Sequence, residues 1–516
     1  MQPDEINPPQ HSSAEKHNSL VWILAVSAVL LHLLTANRYG IFRDELYYIA
    51  CARHLAFGYV DHPPLIALTT WAVLHSLGSS LLALRLLPAL ASGALVCITA
   101  QISRDLGGGR FAQTLAALAI LPVPIYLILD HWLTMNAFEP LLWSAALWAA
   151  IRLVQRQKPC YWIVIGALIG LGLENKYSIA LLAVALVLGL LLTPERRWLK
   201  SWWVAAAVAL ALVLFLPNLL WLAHHNFPFL EFERNSRASG SRILRGPISF
   251  LADQALIMNP LLAPLALAGI LWLLRAKSAR PFRFVGWAAL FVITPLLAIQ
   301  AKNYYVTPIY PILFAAGAIT FERITAVNFR WARPMYVSLA LISGLALAPL
   351  VMPILSVPRF LAYQRAWHGF TPVRFEALPA DPLPQYFSDE FGWEDMARST
   401  AQAYAQIPQP ERAHTAIFAN NYGEAAAIDF FGPRYGLPPS ISKNETYWLW
   451  GPRNYTGATV PVLGSNGKGD RRHFKSVDPV GRVENPYNRA NEHFQIFLCR
   501  DLSPDLQTLW PQLKAW

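Results

Sequence analysis

Apolar runs of near-spanning length recur along this chain, each closed by a short polar or basic loop. A helix needs about 20 apolar residues to cross the hydrocarbon core of a bilayer. Eleven stretches are read as spans: about 20–35, 81–102, 111–129, 138–150, 162–173, 179–192, 202–222, 256–274, 284–299, 306–321 and 336–352. A shorter run at 65–77 reads as an interfacial or re-entrant helix. Only 14% of the 516 residues are charged, where soluble domains carry about 25%. The fold class expected is mostly α, a polytopic membrane helical bundle.

The loops divide by charge. Arg104 and Arg110, Arg152 to Lys158, Arg196 to Lys200, Arg275 to Arg283, and Arg323 to Arg333 fall after alternate runs, which marks the cytoplasmic side. The net charge of +11 is therefore a topology signal, and no nucleic-acid partner is expected. Residues 1–18, polar with three prolines, read as a disordered cytoplasmic tail. Residues 19–352 form the transmembrane domain, with loops 37–64 and 224–254 on the opposite face. From 353 the charged residues, Pro, Gly and Asn rise, and residues 353–516 read as a soluble mixed α/β domain on that face. Strands are expected at 416–419 and 494–498, and a helix at 422–431 stopped by Gly432-Pro433. Four cysteines (Cys51, Cys97, Cys160, Cys499) have no metal-binding or redox spacing, and Cys51–Cys499 is the one disulfide considered.

The unusual polar residues gather on the non-cytoplasmic face. Asp44 and Glu45 follow the first run, beside Arg43, Tyr47, Tyr48 and Asp61-His62-Pro63-Pro64. A carboxylate beside a bilayer can take a proton from an attacking hydroxyl or amine; the bland reading is a helix cap or an ion pair with Arg43. His62 is a phosphate or metal ligand, or a solvated loop residue. Asp130, His131, Asn136 and Glu139 bracket one span start, with Asn136 and Glu139 on a shared face; they position a sugar or merely satisfy a helix end. Lys176 and Lys302, with Tyr304 and Tyr305 and the loop arginines Arg234, Arg237, Arg242 and Arg245, offer a grip for a lipid phosphate. For any one lysine the alternative is snorkelling to the interface. No Walker, Rossmann or nucleophile-elbow pattern is present.

The stretches Arg43-Asp-Glu-Leu-Tyr-Tyr48, Gly58-Tyr-Val-Asp-His-Pro-Pro-Leu65, Leu133-Thr-Met-Asn-Ala-Phe-Glu139, Glu174-Asn-Lys-Tyr177, Lys302-Asn-Tyr-Tyr305, Asn421-Tyr-Gly-Glu-Ala-Ala426 and Tyr447-Trp-Leu-Trp-Gly451 carry a resemblance. They resemble the bacterial branch of glycosyltransferase family 39, related to protein O-mannosyltransferases and the lipid A aminoarabinose transferase. The resemblance implies a GT-C fold, a polyprenyl-phosphate sugar donor, inversion, and a multi-pass protein of the bacterial inner membrane with its active site and C-terminal domain periplasmic. It implies Asp44 as base with Glu45 assisting. Lys176, Lys302, Tyr305 and Arg242 would hold the donor phosphate, and Asp61, His62, Asp130, His131, Asn136 and Glu139 the acceptor or sugar. The acceptor is an envelope lipid, glycan or protein, and a monomer is expected. Relatives often carry an acidic residue where this chain has Asn136. Some bind a divalent metal, for which His62, His131, His224 and His225 are the candidates, though no metal site is assigned. The rival classes are a polytopic lipid or sugar transporter or flippase, whose polar groups would sit near the midplane in repeated halves, and a glycan-binding sensor or assembly subunit. Release of sugar from a labelled lipid donor separates the enzyme from both.

Overall fold

The computed structural model describes residues 18–240, 243–376 and 382–516. The tail expected to be disordered lies, apart from Asn18, outside the described residues, as does Arg242. Helices follow the apolar runs: α1 (Ser19–Thr35), α2 (Arg43–Arg53), α3 (Leu65–Ser76), α4 (Leu81–Asp105), α5 (Arg110–Leu118), α6 (Pro124–Leu129), α7 (Met135–Arg156) and α8 (Tyr161–Asn175). They continue as α9 (Ile179–Leu191), α10 (Trp202–His224), α11 (Pro228–Ala238), α12 (Pro247–Met258), α13 (Ala263–Arg275), α14 (Arg283–Ala298), α15 (Tyr310–Ile324) and α16 (Ala332–Val351).

Fewer of these than eleven are long and apolar enough to cross a bilayer. Among the described residues six qualify: Leu81–Asp105, Met135–Arg156, Trp202–His224, Lys277–Ala298, Asn303–Ile324 and Ala332–Val351; two bent pairs raise the count to eight. The run expected to span over 111–129 is two short helices, α5 and α6, because Pro122 and Pro124 cannot supply the ladder N–H groups a continuous helix needs. The run over 256–274 is likewise interrupted. Asn259, at φ +83°, precedes Pro260, and α12 and α13 are bent by 110° there.

Small residues let the helices close on one another. A Cβ on Gly269 of α13 would fall 2.1 Å from the Leu313 carbonyl oxygen of α15, and one on Gly317 of α15 would fall 2.0 Å from that of Leu265 in α13. Such mutual close approach is how apolar helices pack without a hydrophobic drive between them. The basic loops meet at one end of the bundle. Arg152 pairs with Asp105 at 2.6 Å, Arg197 donates to Gln157 at 3.3 Å, Gly109 N–H donates to Glu322 at 2.7 Å, Arg333 donates to the Glu322 carbonyl at 2.9 Å, and Arg323 donates to Ser278 at 2.6 Å.

The chain beyond α16 forms a five-stranded mixed sheet with helices. Its strands are β1 (Ile417–Ala419), β2 (Ser440–Ser442), β3 (Thr459–Val462), β4 (Phe474–Val483) and β5 (Phe494–Leu502), in spatial order β2-β1-β3-β5-β4. β1 runs parallel to β2 and β3, and β5 runs antiparallel to β3 and β4. The helix Tyr422–Phe431 connects β1 to β2. It starts on a capping box in which Asn421 accepts from Glu424 N–H at 3.0 Å and the Glu424 carboxylate reaches back. All four cysteines are free. Cys51 packs beneath the first outer loop and Cys499 in the core of the sheet, so the disulfide considered between them does not form.

This region sits tightly on the loop 36–64. A Cβ on Gly40 would overlap the Glu390 carbonyl, and one on Gly423 would fall 2.7 Å from the Arg43 side chain. Arg43 N–H donates to the Asp389 carbonyl at 3.0 Å, Tyr47 shares a hydrogen bond with Thr446 at 2.7 Å, and Arg53 donates to the Asp429 carbonyl at 2.8 Å.

Candidate functional site

Successive residues of a helix point about 100° apart, and at the start of α2 that phase separates two adjacent carboxylates. Glu45 turns inward. It reaches back to the Phe42 N–H at 3.0 Å and accepts from the Leu133 N–H at 3.0 Å. It also pairs with Arg85 of α4, which donates from Nε at 3.2 Å and from Nη2 at 2.9 Å. Arg85 spends its remaining donors on the Ala36 carbonyl (2.7 Å), the Gly40 carbonyl (2.9 Å), His131 Nε2 (3.0 Å) and Glu390 (3.3 Å). Trp132 donates to the other Glu390 oxygen at 3.3 Å and stacks on Phe42. Arg85 and both glutamates have side chains with no exposed surface. The assisting role expected for Glu45 does not match this position, because its carboxylate is consumed in the closed knot; His131, expected to contact sugar, accepts from Arg85 at Nε2, keeps a partnerless Nδ1 and lies outside the lining of the cavity around Asp44.

Asp44 turns the other way, into a cavity of about 740 Å³ that is also lined by Asp61, Asn136, Lys176, Lys302 and Tyr305. Its Oδ1 accepts from the Tyr422 hydroxyl at 2.8 Å, and its side chain keeps 31% exposure. Asp61 accepts from the Tyr47 hydroxyl at 2.8 Å. Lys176 leaves the end of α8 in an extended conformation, and its Nζ donates to Asn136 at 2.8 Å and Glu139 at 2.6 Å, both on the first turns of α7. The same ammonium lies 4.7 Å from the ring centre of Tyr305 and 5.2 Å from that of Tyr304. Ser178 donates to the second Glu139 oxygen. Glu139 lies one helical turn on from Asn136, and Lys176 bridges the two. Lys302, half-buried, has no hydrogen-bond or ion-pair partner among the described residues.

Other expected residues lie elsewhere. His62 is fully buried; its Nδ1–H donates to the Pro63 carbonyl at 2.8 Å, and its ring stacks on Tyr59 with edges toward Tyr47 and Tyr48. It packs the loop rather than lining the cavity. Asp130 is buried at the end of α6, also outside the lining. Arg245 pairs with Asp253, while Arg237 on α11 reaches the cavity. The four histidines considered for a metal do not form one cluster: His62 donates from Nδ1 to the Pro63 carbonyl, His131 accepts from Arg85 at Nε2, and His224 and His225 sit together beside Trp221. Among the described residues no group of three or more His, Cys, Asp or Glu is arranged to hold a metal ion.

The region beyond α16 contributes what the sequence reading missed: Tyr422 on Asp44, and Glu445, which lines the same cavity. Glu445 is 7% exposed, its Oε2 has no hydrogen-bond partner, and it sits at φ +47°, a left-handed conformation rare outside glycine. Burial, with Asp61 and Asp44 adding to it against Arg43 and Lys302, pushes its carboxyl well above the usual range, which favours the protonated form. The only sequence signal was its place just before Tyr447-Trp-Leu-Trp-Gly451.

Residues 61–221 match the family described as dolichyl-phosphate-mannose-protein mannosyltransferase. Similar proteins from Rhizobium johnstonii include the lipid A galacturonosyltransferase RgtD, 25% identical over 66% of this chain and 71% of that protein. The lipopolysaccharide core galacturonosyltransferase RgtA is 26% identical over 40% of this chain and 43% of its own length. In fold, the chain is similar to ArnT from Cupriavidus metallidurans bound to undecaprenyl phosphate, with TM-score 0.58, 15% identity, and coverage of 97% and 100%. The Archaeoglobus fulgidus oligosaccharyltransferase shares the architecture more loosely, with TM-score 0.51, 14% identity, and coverage of 83% and 65%. The bundle is therefore of the GT-C type expected.

Proposed function

We infer that this membrane glycosyltransferase, related to the dolichyl-phosphate-mannose-protein mannosyltransferases, moves a sugar from a polyprenyl-phosphate donor to an envelope lipid such as lipid A or a lipopolysaccharide core. The observation that carries the reading is the shared cavity: Asp44, Lys176, Lys302 and Tyr305, from three distant segments, line one space. The relatives' names support the acceptor class, and the ligand of the ArnT structure supports the donor.

The acceptor hydroxyl or amine attacks the anomeric carbon from the face opposite the phosphate, so a new bond forms as the C1–O bond to phosphate breaks. The bonding pair leaves on the phosphate oxygen, and the configuration inverts. Asp44 takes the acceptor's proton; the Tyr422 hydrogen bond fixes its orientation. Lys176 and Lys302 meet the charge growing on the departing phosphate, with Tyr305 beside it. Protonated Glu445 donates a hydrogen bond to a sugar hydroxyl and adds no negative charge beside the base. Asp61 and Asn136 complete the polar wall.

The cavity end is the periplasmic face of the inner membrane and the basic end the cytoplasmic one, with the amino terminus inside and residues 353–516 outside. A cysteine scan with an impermeant thiol reagent tests this: Lys158→Cys in whole cells stays unlabelled and Lys475→Cys labels. The decisive test of the chemistry is purified Asp44→Asn with a radiolabelled polyprenyl-phosphate sugar and lipid A. Loss of transfer in a folded variant supports the assignment, and wild-type transfer overturns it.

A further inference from the structure

A chain that leaves β1 by the helix Tyr422–Phe431 to reach β2 on one side places β3 on the other side of β1. The connections diverge at the carboxyl ends of β1 and β3, and α/β sheets bind ligands at such switch points. A cavity of about 420 Å³ opens there, within the roughly 300–1,000 Å³ range of small-molecule sites. It shares no lining residue with the cavity around Asp44.

Its two surfaces differ in chemistry. Phe418, Val460 and Val462 form an apolar floor on one face of the sheet, where Phe418 pairs with Val462. Leu506, Leu509 and Leu513, beyond β5, form the opposite wall. Basic side chains stand at both ends: Lys443, half-buried, follows the carboxyl end of β2, while Arg472 and His473, exposed, precede β4 beside the amino end of β3, and none has a side-chain hydrogen bond or ion pair among the described residues. The one acid in the lining, Asp470, is taken by the Ser465 hydroxyl. The loop leaving β3 bends back through Gly464 (φ +67°) and Gly467 (φ +76°), and a Cβ on Gly464 would collide with Glu424.

We propose that this cavity is a second binding site, for an anionic amphiphile: an alkyl chain laid on Phe418, Val460 and Val462, with a phosphate or carboxylate head at Arg472 and His473. An apolar floor alone would take any hydrocarbon; the unpaired guanidinium of Arg472, with the His473 imidazole next to it, selects a negative head. The site does not depend on the transfer reaction.

The test uses the full chain in nanodiscs of neutral lipid and three photo-crosslinking alkyl probes that carry a phosphate, a carboxylate or a neutral hydroxyl head. Mapped peptides containing Phe418, Val460 to Val462 and Leu506 to Leu513 are expected to carry the anionic probes at least several-fold above the neutral one. Arg472→Glu, at an exposed position, and Val462→Trp, which fills the floor, should each remove most of that label while the thermal transition stays near wild type. Should Val462→Trp misfold, Arg472→Glu alone decides. Competition between the two anionic probes tells a lipid phosphate from a fatty-acid source. Equal labelling by the neutral probe, or labelling untouched by Arg472→Glu, overturns the proposal.

Discussion

Two polar clusters begin at neighbouring residues of α2 and behave oppositely. Around Glu45 the knot of Arg85, Glu390, His131 and Trp132 has its charges paired and no opening. Around Asp44 the groups are only partly satisfied: Lys302 has no partner among the described residues, Glu445 keeps a free oxygen, and both face a cavity. Saturation holds the two halves of the molecule together. Spare hydrogen-bonding capacity beside open space is what a substrate can use.

The largest expected effect strikes the saturated cluster. Arg85→Met strips the partner from two buried carboxylates and should cost about 3–5 kcal/mol, enough to keep folded protein from accumulating. Replacing Arg85, Glu45 and Glu390 together by apolar residues should restore much of that loss; thermal unfolding in detergent measures both. Next comes Asp44→Asn, expected to lower the transfer rate by about 10²–10⁴-fold with an unchanged melting temperature. A melting shift matching that of Arg85→Met would erase the distinction between the clusters. Lys302→Ala should act mainly on donor KM, raising it by roughly tenfold for one lost charge-assisted contact, as steady-state kinetics with varied donor would show. The smallest effect at neutral pH is Glu445→Gln. In the wild type, ionisation of Glu445 as pH rises through its raised pKa sets a negative charge beside Asp61 and Asp44, so activity falls on the alkaline side. Glutamine stays neutral, and the pH–rate profile should lose that fall while neutral-pH activity stays close to wild type.

Much of the second cluster was legible in the sequence, because polar side chains near a bilayer are costly and stand out. Asp44, Asp61, Asn136, Lys176, Lys302 and Tyr305 all reach the cavity. What the residue order could not convey was direction. Glu45 and His62 look as reactive as their neighbours, yet helix phase and loop packing turn both inward. Arg85, the hub of the closed knot, lies inside an apolar run and was passed over as part of a span, although a lone arginine there was itself the signal. Glu390 and Glu445 lie hundreds of residues from Arg85 and Asp44, and only the packing of the region beyond α16 brings them in. The reading of 111–129 as one span failed because it weighed hydropathy above Pro122 and Pro124.

The pairing of Lys176 with Glu139 bears on how the enzyme lets go. In the proposed reaction, cleavage would leave the spent carrier as a phosphate monoester, more negative than the diester that arrived. Two bare ammonium groups would clamp it. With one of them already diluted by a neighbouring carboxylate, the spent carrier of that reaction would be held less firmly, and turnover would be protected from its own by-product.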